Sequence, residues 1–166
     1  MKKLNLYPTF TTKVKQMFNC IETIDNPYLQ AWVDAGAYVM SSGKTDYWIM
    51  TNSVQLLFKI HEDSMHLECI ATYHEDRRKG HGSEMMEYIT QFSNESGVPV
   101  TLKVANVTGN GWQMMQHTVI SMGMVKTNKI PVQSLPKWYE KFGFIKSPSY
   151  SEKNKSMIYT PKKLAI

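Results

Sequence analysis

Two arginines, a lysine and two glycines stand close together in the stretch HEDRRKGHG. Arg77 and Arg78 are the only arginines among the 19 basic residues of the chain, and Gly80 and Gly82 follow shortly after them. The sequence turns helical near Ser83, and the first turn of a helix offers unpaired N–H groups and a positive partial charge. Glycines let the backbone approach a ligand closely, and a planar guanidinium suits phosphate oxygens. This segment therefore predicts a binding site for phosphate groups.

Two common phosphate-binding loops do not fit the chain. The dinucleotide-binding pattern G-x-G-x-x-G would require glycine where Met85 stands. The segment SSGKT resembles the end of a nucleoside-triphosphate loop, but G-x-x-x-x-G-K-T would require glycine at Tyr38. The phosphate site predicted at HEDRRKGHG therefore belongs to neither class.

The segment SMHLECIATY, residues 64–73, carries two titratable side chains at alternating positions of a predicted strand. In an unbroken strand, successive side chains point to opposite faces. The apolar set is expected to pack in the core, and it comprises Met65, Leu67, Cys69, Ala71 and Tyr73. The other set is expected to border a cleft or solvent, and it comprises His66, Glu68, Ile70 and Thr72. His66 and Glu68 could act as a base in that cleft, or could simply be solvated.

Helical and strand periods alternate along the chain and indicate one mixed α/β domain over residues 1–166. The predicted helices span 12–24, 27–40, 80–95 and 135–142. The predicted strands span 46–51, 53–62, 64–73, 98–106, 144–147 and 156–160. The first three of these strands are joined by short turns, which favours an antiparallel meander. The helix at 80–95 lies between two strands and predicts one crossover connection.

Composition and charge narrow the class of protein. The 166 residues are 42% hydrophobic, with a formal net charge of +5 and a pI of about 9.1. Excess positive charge favours anionic partners such as nucleic acid, a phosphorylated cofactor or an acidic protein surface. No apolar run suits a signal peptide or a membrane span, which predicts a soluble cytoplasmic protein without membrane contact.

The two cysteines, Cys20 and Cys69, are far apart in the sequence and show no Cys/His ligand spacing. This pattern gives little support to a disulfide framework or a zinc site. It predicts no metal site and two buried thiols in a reducing compartment.

Two ordered motifs resemble those of the GNAT superfamily of acetyl-CoA-dependent N-acetyltransferases. Arg77, Gly80 and Gly82 fit the pyrophosphate-arm signature R/Q-x-x-G-x-G/A. His74 and Asp76 replace the proline and the aromatic residue that usually precede this arm. Downstream, LPKWYEKFGF is similar to the family motif L-Y-E-K-x-G-F.

The resemblance implies a GNAT fold, with a central mixed, mostly antiparallel sheet of about six to seven strands flanked by helices. The family's fourth and fifth strands, here 64–73 and 98–106, would splay apart around the pantetheine of acetyl-CoA, which adds like a strand. The backbone lining that slot would come from Ile70, Ala71 and Thr72. The pyrophosphate would be wrapped by Arg77, Arg78, Lys79, Gly80, His81, Gly82 and Ser83. Asn106 or Ser134 would replace an asparagine that the family places after its fifth strand.

The same resemblance implies direct attack of an amine on acetyl-CoA within a ternary complex. Tyr139 would lie near the CoA sulfur, where a hydroxyl of ordinary pKa about 10 suits protonation of a thiolate of pKa about 8.5. Core packing of Trp138 and Tyr139 on an amphipathic helix is the plainer interpretation. An amine of pKa about 10.4 is mostly protonated at neutral pH, so Glu68 or His66 would help as a base. Positioning and backbone N–H groups could also suffice without a base.

Residues 107–134 separate the two motifs and are predicted to be an insertion between the fifth strand and the last helix. Its aromatic residues, histidine and methionines, such as Trp112, His117 and Met122, could form a flap over the acceptor. They could equally fill space in the core or form a contact between two copies of the chain, and such a contact would produce a homodimer.

The class of acceptor amine is left open by these motifs. A small molecule, a protein and an aminoacyl-tRNA are all compatible with them. The positive charge favours an RNA-linked or nucleotide-linked amine as an alternative, and a module that binds CoA without turnover is a further one. Acceptor contacts are expected from Asp25, Asn26 and Tyr28 and from the loop at 147–154.

Overall fold

The computed structural model describes residues 20–21, 25–41, 43–51, 54–72, 80–104 and 134–163. These ranges form one eight-stranded sheet with helices packed on it, which confirms the predicted mixed α/β architecture. In chain order the elements are β1 (Cys20–Ile21), α1 (Pro27–Asp34), β2 (Tyr38–Ser41), β3 (Asp46–Met50), β4 (Val54–Ile60), β5 (Met65–Thr72), α2 (His81–Ser96), β6 (Val100–Lys103), α3 (Leu135–Glu140), β7 (Ile145–Lys146) and β8 (Ser156–Tyr159).

The strands of the described residues lie in the order β1-β2-β3-β4-β5-β6-β8-β7. Neighbouring strands are antiparallel except β5 and β6, which are parallel and are joined through α2. A parallel pair needs a crossover connection, and a helix is the usual one. Both the predicted meander, β3-β4-β5, and the predicted crossover are therefore confirmed.

The first two predicted helices are wrong at their C-terminal ends. Residues 20–21 form β1, which pairs with β2, while the rest of the predicted helix at 12–24 lies outside the described residues. In α1, the Asn26 side chain accepts a hydrogen bond from the Leu29 N–H at 3.1 Å, so the start is fixed as the sequence indicated. The helix stops early because Gly36 adopts a left-handed φ of 96°, which ends helices. The apolar residues that follow form β2.

The main core lies between the sheet and the helices α1 and α2. Gly80 and Gly97 flank α2 with left-handed φ values of 82° and 71°, so the helix at 80–95 is confirmed within a residue. Its apolar stripe, which includes Ile89 and Phe92, is fully buried. The Phe92 ring meets Trp32 of α1 edge to face at a centroid distance of 4.8 Å. The two helices thus close one face of the sheet.

The ladder between β4 and β5 contains a bulge at Glu68. Phe58 pairs with Leu67, whereas the adjacent residue of β4, Leu57, pairs with Cys69, so Glu68 is the extra residue. Adjacent residues of β4 point to opposite faces. Leu67 and Cys69 must therefore point to opposite faces as well.

The bulge corrects the predicted faces of β5, which were derived for an unbroken strand. Leu67 lies in the main core, as predicted. Ile70, predicted to face the cleft, instead pairs with Leu56 and packs against that same core. Cys69, predicted to share the face of Leu67, is buried on the opposite side of the sheet. The side chains at 71–73 lie outside the described residues.

Several features are absent from the part of the chain that the structure describes. None of its helices is long and apolar enough to cross a membrane. It holds no group of three or more His, Cys, Asp or Glu residues arranged for a metal ion. Cys69 is a buried free thiol there, and the side chain of Cys20 lies outside the described residues.

Candidate cofactor slot and active site

The parallel strands β5 and β6 run together briefly and then separate. Met65–Leu67 pair with Val100–Leu102, and within the described residues no further pair joins the two strands. β5 continues to Thr72, whereas beyond β6 the Val104 N–H donates to the Lys155 carbonyl beside β8, at 2.8 Å. The predicted splaying of strands 64–73 and 98–106 is therefore confirmed, and it leaves a slot.

One edge of β5 faces this slot. Ile70, Ala71 and Thr72 pair with β4 on their other side. Among the described residues, no strand pairs with the slot-facing edge beyond Leu67. A strand edge presents alternating N–H and C=O groups, and an extended chain can add to it through main-chain hydrogen bonds. These three residues are thus placed where the prediction of a pantetheine-binding backbone requires them.

The residues predicted to wrap a pyrophosphate fall partly within the described chain. Gly80, His81, Gly82 and Ser83 form the start of α2, whose first-turn N–H groups have no intrahelical acceptors. The His81 ring Nδ1 lies 3.8 Å from the Glu84 carboxylate, so an acidic residue shares this helix end. The predicted basic residues Arg77, Arg78 and Lys79, and also Asn106, lie outside the described residues, and their roles stay predictions. Ser134 is exposed immediately before α3.

Tyr139 is buried, with 8% of its surface exposed. Its ring packs against Trp138 at 4.9 Å and Phe144 at 6.1 Å between centroids. Burial, together with a smaller effect of the nearby Cys69 thiol, raises the pKa of Tyr139 to about 12. The phenol is therefore protonated throughout the physiological range and lies close to the middle of β5. Both the predicted core packing and a proton-donor role are compatible with this position.

The segment after α3 is held by an aromatic stack and a left-handed turn. Phe144 packs on Tyr159 of β8 at a centroid distance of 5.5 Å. Gly143 adopts a φ of 92°, and a Cβ there would lie 3.1 Å from the Tyr159 ring. The glycine of the L-Y-E-K-x-G-F motif thus has a steric role, since it lets the chain turn tightly against Tyr159.

Five polar residues gather beside the point where β5 and β6 separate, and we call them the His66 cluster: Lys59, His61, His66, Glu68 and Thr101. The His66 ring Nδ1 is 2.8 Å from the Thr101 Oγ1 on β6. The Glu68 carboxylate lies 3.9 Å from the His66 Nε2 and 3.5 Å from the Lys59 Nζ. The rings of His61 and His66 are 6.2 Å apart. The two predicted base candidates are therefore neighbours within one network.

Cys69 lies close both to Glu68 of the His66 cluster and to Tyr139. Burial, together with a smaller effect of the Glu68 charge, raises the pKa of the Cys69 thiol to about 12. The same thiol contributes to the raised pKa of Tyr139. The candidate acid and the candidate bases therefore lie around the same residue of β5, next to the slot.

The charge state of His66 is set mainly by burial, which lowers its pKa below the ordinary value. Glu68 opposes this shift, whereas His61 and Lys59 add to it. We expect Glu68→Gln to lower the His66 pKa further, because it removes the one contribution that favours the imidazolium. Lys59→Met should raise it slightly. Both shifts can be read from the pH titration of the His66 ring protons by NMR, and an unchanged or higher pKa in Glu68→Gln would contradict the observed proximity.

Three members of the His66 cluster, Lys59, His61 and Thr101, were missed by sequence reasoning. A signal existed, since all three are polar residues of the predicted strands 53–62 and 98–106. Strand alternation alone does not reveal which strands become neighbours. In the sheet, His66 pairs with Lys59 on one side and Thr101 on the other.

The predicted acceptor-contacting residues near α1 are partly wrong. Tyr28 is fully buried and packs edge to face on Phe58 at 5.5 Å, so it cannot touch a substrate. Asn26 caps α1, while Asp25 is exposed. The loop at 147–154 joins β7 to β8 and stays a predicted acceptor contact. The predicted insertion at 107–134 lies outside the described residues except for its last position.

Comparison with protein-family models and with curated protein sequences gives no match. Among solved structures, the anti-CRISPR protein AcrVA5 is similar with a TM-score of 0.50 at 15% identity, covering 70% of this chain and 100% of that one. A putative acetyltransferase of the GNAT family from Bacteroides thetaiotaomicron gives 0.49 at 14% identity, with coverages of 97% and 88%. The ribosomal-protein-S18-alanine N-acetyltransferase from Escherichia coli gives 0.42 at 14% identity, with coverages of 97% and 93%.

At this identity, the likeness to AcrVA5 speaks to fold and not to activity. The described residues therefore share their fold with AcrVA5.

Proposed function

We propose that this protein is an acetyl-CoA-dependent N-acetyltransferase. The observation that carries the proposal is the open edge of β5 beside β6, with the buried Tyr139 near its middle. An extended pantetheine can bind such an edge through main-chain hydrogen bonds. A protonated phenol can donate its proton to the sulfur at the end of the pantetheine. The predicted phosphate-binding residues at the start of α2 would hold the other end of the same ligand.

In the proposed reaction, an acceptor amine attacks the thioester carbonyl directly within a ternary complex. A base first takes one proton from the ammonium. The N–C bond then forms and the C–S bond breaks, while Tyr139 gives its proton to the leaving thiolate. The second amine proton passes through solvent to the Tyr139 phenolate and restores the phenol, while the base releases the first proton, so the products are the amide, CoA and one released proton. Holding both reactants in the slot supplies much of the catalysis.

The direct test uses labelled acetyl-CoA. We expect the purified protein to bind it in a calorimetric titration and, in a cell lysate, to transfer label to an amine-containing fraction. The label would be followed separately into protein, RNA and small molecules. Binding without label transfer or CoA release for any acceptor would indicate a CoA-binding module instead. Failure to bind acetyl-CoA at all would reject the proposal.

Gly80→Ala should weaken acetyl-CoA binding. The added Cβ meets nothing within 4 Å, so its effect comes from the left-handed φ of 82°, which costs an L-residue about 1–2 kcal/mol. If the first turn of α2 shifts to relieve this strain, the phosphate-facing N–H groups move. If the whole strain energy is subtracted from the free energy of binding, the affinity for acetyl-CoA falls by roughly 5- to 30-fold.

Gly97→Ala is the matched control for this measurement. It has a φ of 71°, also with open space around the added Cβ, but it lies at the other end of α2. Both variants should lose similar stability, and only Gly80→Ala should lose affinity for acetyl-CoA. Equal affinities would remove the start of α2 from the proposed cofactor site.

An acceptor carried on RNA is a second candidate, favoured by the distribution of charge. Residues 134–163 contain seven lysines and two glutamates, so they account for the whole formal net charge of +5. The predicted acceptor-contacting loop at 147–154 lies within this segment. Binding to RNA should then weaken steeply as salt is raised, because neutralised phosphates release counterions. No RNA binding at low salt would exclude this candidate.

A further inference from the structure

The hydrogen bond between His66 and Thr101 joins the two strands at the second of their three paired positions, one pair before the ladder ends at Leu67 and Leu102. His66 and Thr101 are paired residues of β5 and β6, and the Nδ1 to Oγ1 distance is 2.8 Å. Both side chains are half-buried, and Thr101 is β-branched and therefore stiff in a strand. The imidazole is thus held by a group with little freedom.

Neutral imidazole has two tautomers, and this hydrogen bond can form in either. If Nδ1 carries the proton, it donates to Thr101 and the Nε2 lone pair faces outward. If Nε2 carries the proton, the Thr101 hydroxyl donates to Nδ1. The surroundings of Nε2 therefore decide between them.

The Glu68 carboxylate lies 3.9 Å from Nε2. This is too long for a direct hydrogen bond, but within reach of one water or of a favourable N–H dipole. A lone pair directed at a carboxylate is repelled, whereas an N–H is attracted. The other groups facing the ring are Lys59 on β4 and His61 after it, and both disfavour an imidazolium. The ring is therefore neutral near pH 7, with its proton on the side of Glu68.

We infer that the Glu68 carboxylate selects the neutral Nε2–H tautomer of His66 and that the Thr101 hydroxyl holds this ring in place through Nδ1, which makes His66 a positioning residue for Glu68 and not a proton acceptor. Nδ1 is occupied by the Thr101 O–H and Nε2 by its own proton, so the ring has no lone pair left for an ammonium. Glu68, the bulge residue, is held between the His66 N–H and the Lys59 ammonium. The catalytic part of this inference rests on the proposed acetyltransferase function.

Under this assignment, the proton that leaves the acceptor ammonium goes to Glu68, directly or through one water. The carboxylate becomes a carboxylic acid, and the amine is then neutral for attack. Glu68 returns the proton to solvent after the product leaves. His66 gains and loses no proton in the cycle.

The tautomer can be tested without any enzymatic assay. Long-range nitrogen-15 spectra of the labelled protein at neutral pH should show an unprotonated Nδ1 and a protonated Nε2 for His66, assigned by the signals lost in His66→Gln. Thr101→Ser should keep this pattern, because it keeps the hydroxyl. Glu68→Gln removes the carboxylate that selects the Nε2–H and should give averaged signals of both tautomers. A protonated Nδ1 in the native protein would overturn the inference.

The catalytic part has its own readout in the pH dependence of kcat. Glu68→Gln should abolish the acidic limb of the profile, whereas His66→Gln should lower kcat by about tenfold or less and retain that limb. Thr101→Val should show the same pH profile and the same loss of kcat as His66→Gln. Thr101→Ser should behave like the native protein. The KM for acetyl-CoA should be unchanged in each variant. Loss of the limb in His66→Gln with its retention in Glu68→Gln would overturn the assignment. If no acceptor is acetylated, the proposed function fails, while the tautomer is still decided by the spectra.

Discussion

Replacing Tyr139 with phenylalanine should lower kcat by about 10²- to 10⁴-fold while leaving the affinity for acetyl-CoA unchanged. The phenol is buried beside β5 and protonated, so its removal takes away the proposed proton donor but keeps the ring and its contacts with Trp138 and Phe144. Binding relies on the β5 edge and the start of α2, which the variant leaves intact. Steady-state kinetics and calorimetric titration on the same preparation would separate the two effects.

Tyr159→Phe is a suitable control, because Tyr159 belongs to the same aromatic stack. Its hydroxyl donates to the Asn94 side chain at 2.9 Å, so the variant should lose about 0.5–1.5 kcal/mol of stability and little kcat. With a Tyr139 pKa of about 12, ionisation of this phenol should not reduce activity at moderately alkaline pH. Equal kcat losses in the two variants would contradict a specific role for Tyr139. So would an alkaline decline near pH 10 or below that disappears in Tyr139→Phe.

Replacing Gly143 with alanine should lower the free energy of unfolding by about 2–4 kcal/mol. The left-handed φ of 92° accounts for part of this cost, and the Cβ placed 3.1 Å from the Tyr159 ring accounts for the rest. A displaced Tyr159 would also shift Phe144 and, through it, Tyr139. The variant should therefore combine a lower Tm, by about 2–4 °C per kcal/mol, with a lower kcat.

Gly97→Ala again separates the two causes of this loss. It carries the left-handed strain without a close neighbour, so it should lose only about 1–2 kcal/mol. The excess loss in Gly143→Ala then measures the contact with Tyr159. Denaturant titrations that give the same free energy for both variants would show that the ring moves aside at no cost.

The parts of the site that could be predicted from the sequence are those fixed by local pattern. The alternation at 64–73 indicated β5, and the glycines at 80 and 97 set the limits of α2 to within one residue. The succession of strand, helix and strand indicated a parallel pair joined by a helix, whereas the slot between these strands was implied only by the resemblance of the two motifs to those of the GNAT superfamily. Each of these inferences needs only neighbours along the chain.

The errors arose where the answer depends on a distant strand. The bulge at Glu68 is defined by the register of β4, so an unbroken alternation misplaced Ile70 and Cys69. The apolar run that forms β2 is too short to distinguish helix from strand, and the left-handed turn at Gly36 was the available signal. Tyr28 was expected to contact the acceptor because it stands close to Asn26 at the start of a predicted helix, but it is fully buried in the core.

The short pairing of β5 with β6 has a mechanical consequence for the whole sheet. Only three residue pairs connect the five-stranded half, β1 to β5, with the half formed by β6, β8 and β7 among the described residues. The helix α2 packs against β4, β5 and β6, so it crosses the seam between the halves. We therefore expect the packing of α2, as well as the ladder, to hold the two halves together. A change of side-chain volume on its buried stripe, at Met85 or Ile89, should then alter how the two halves sit against each other.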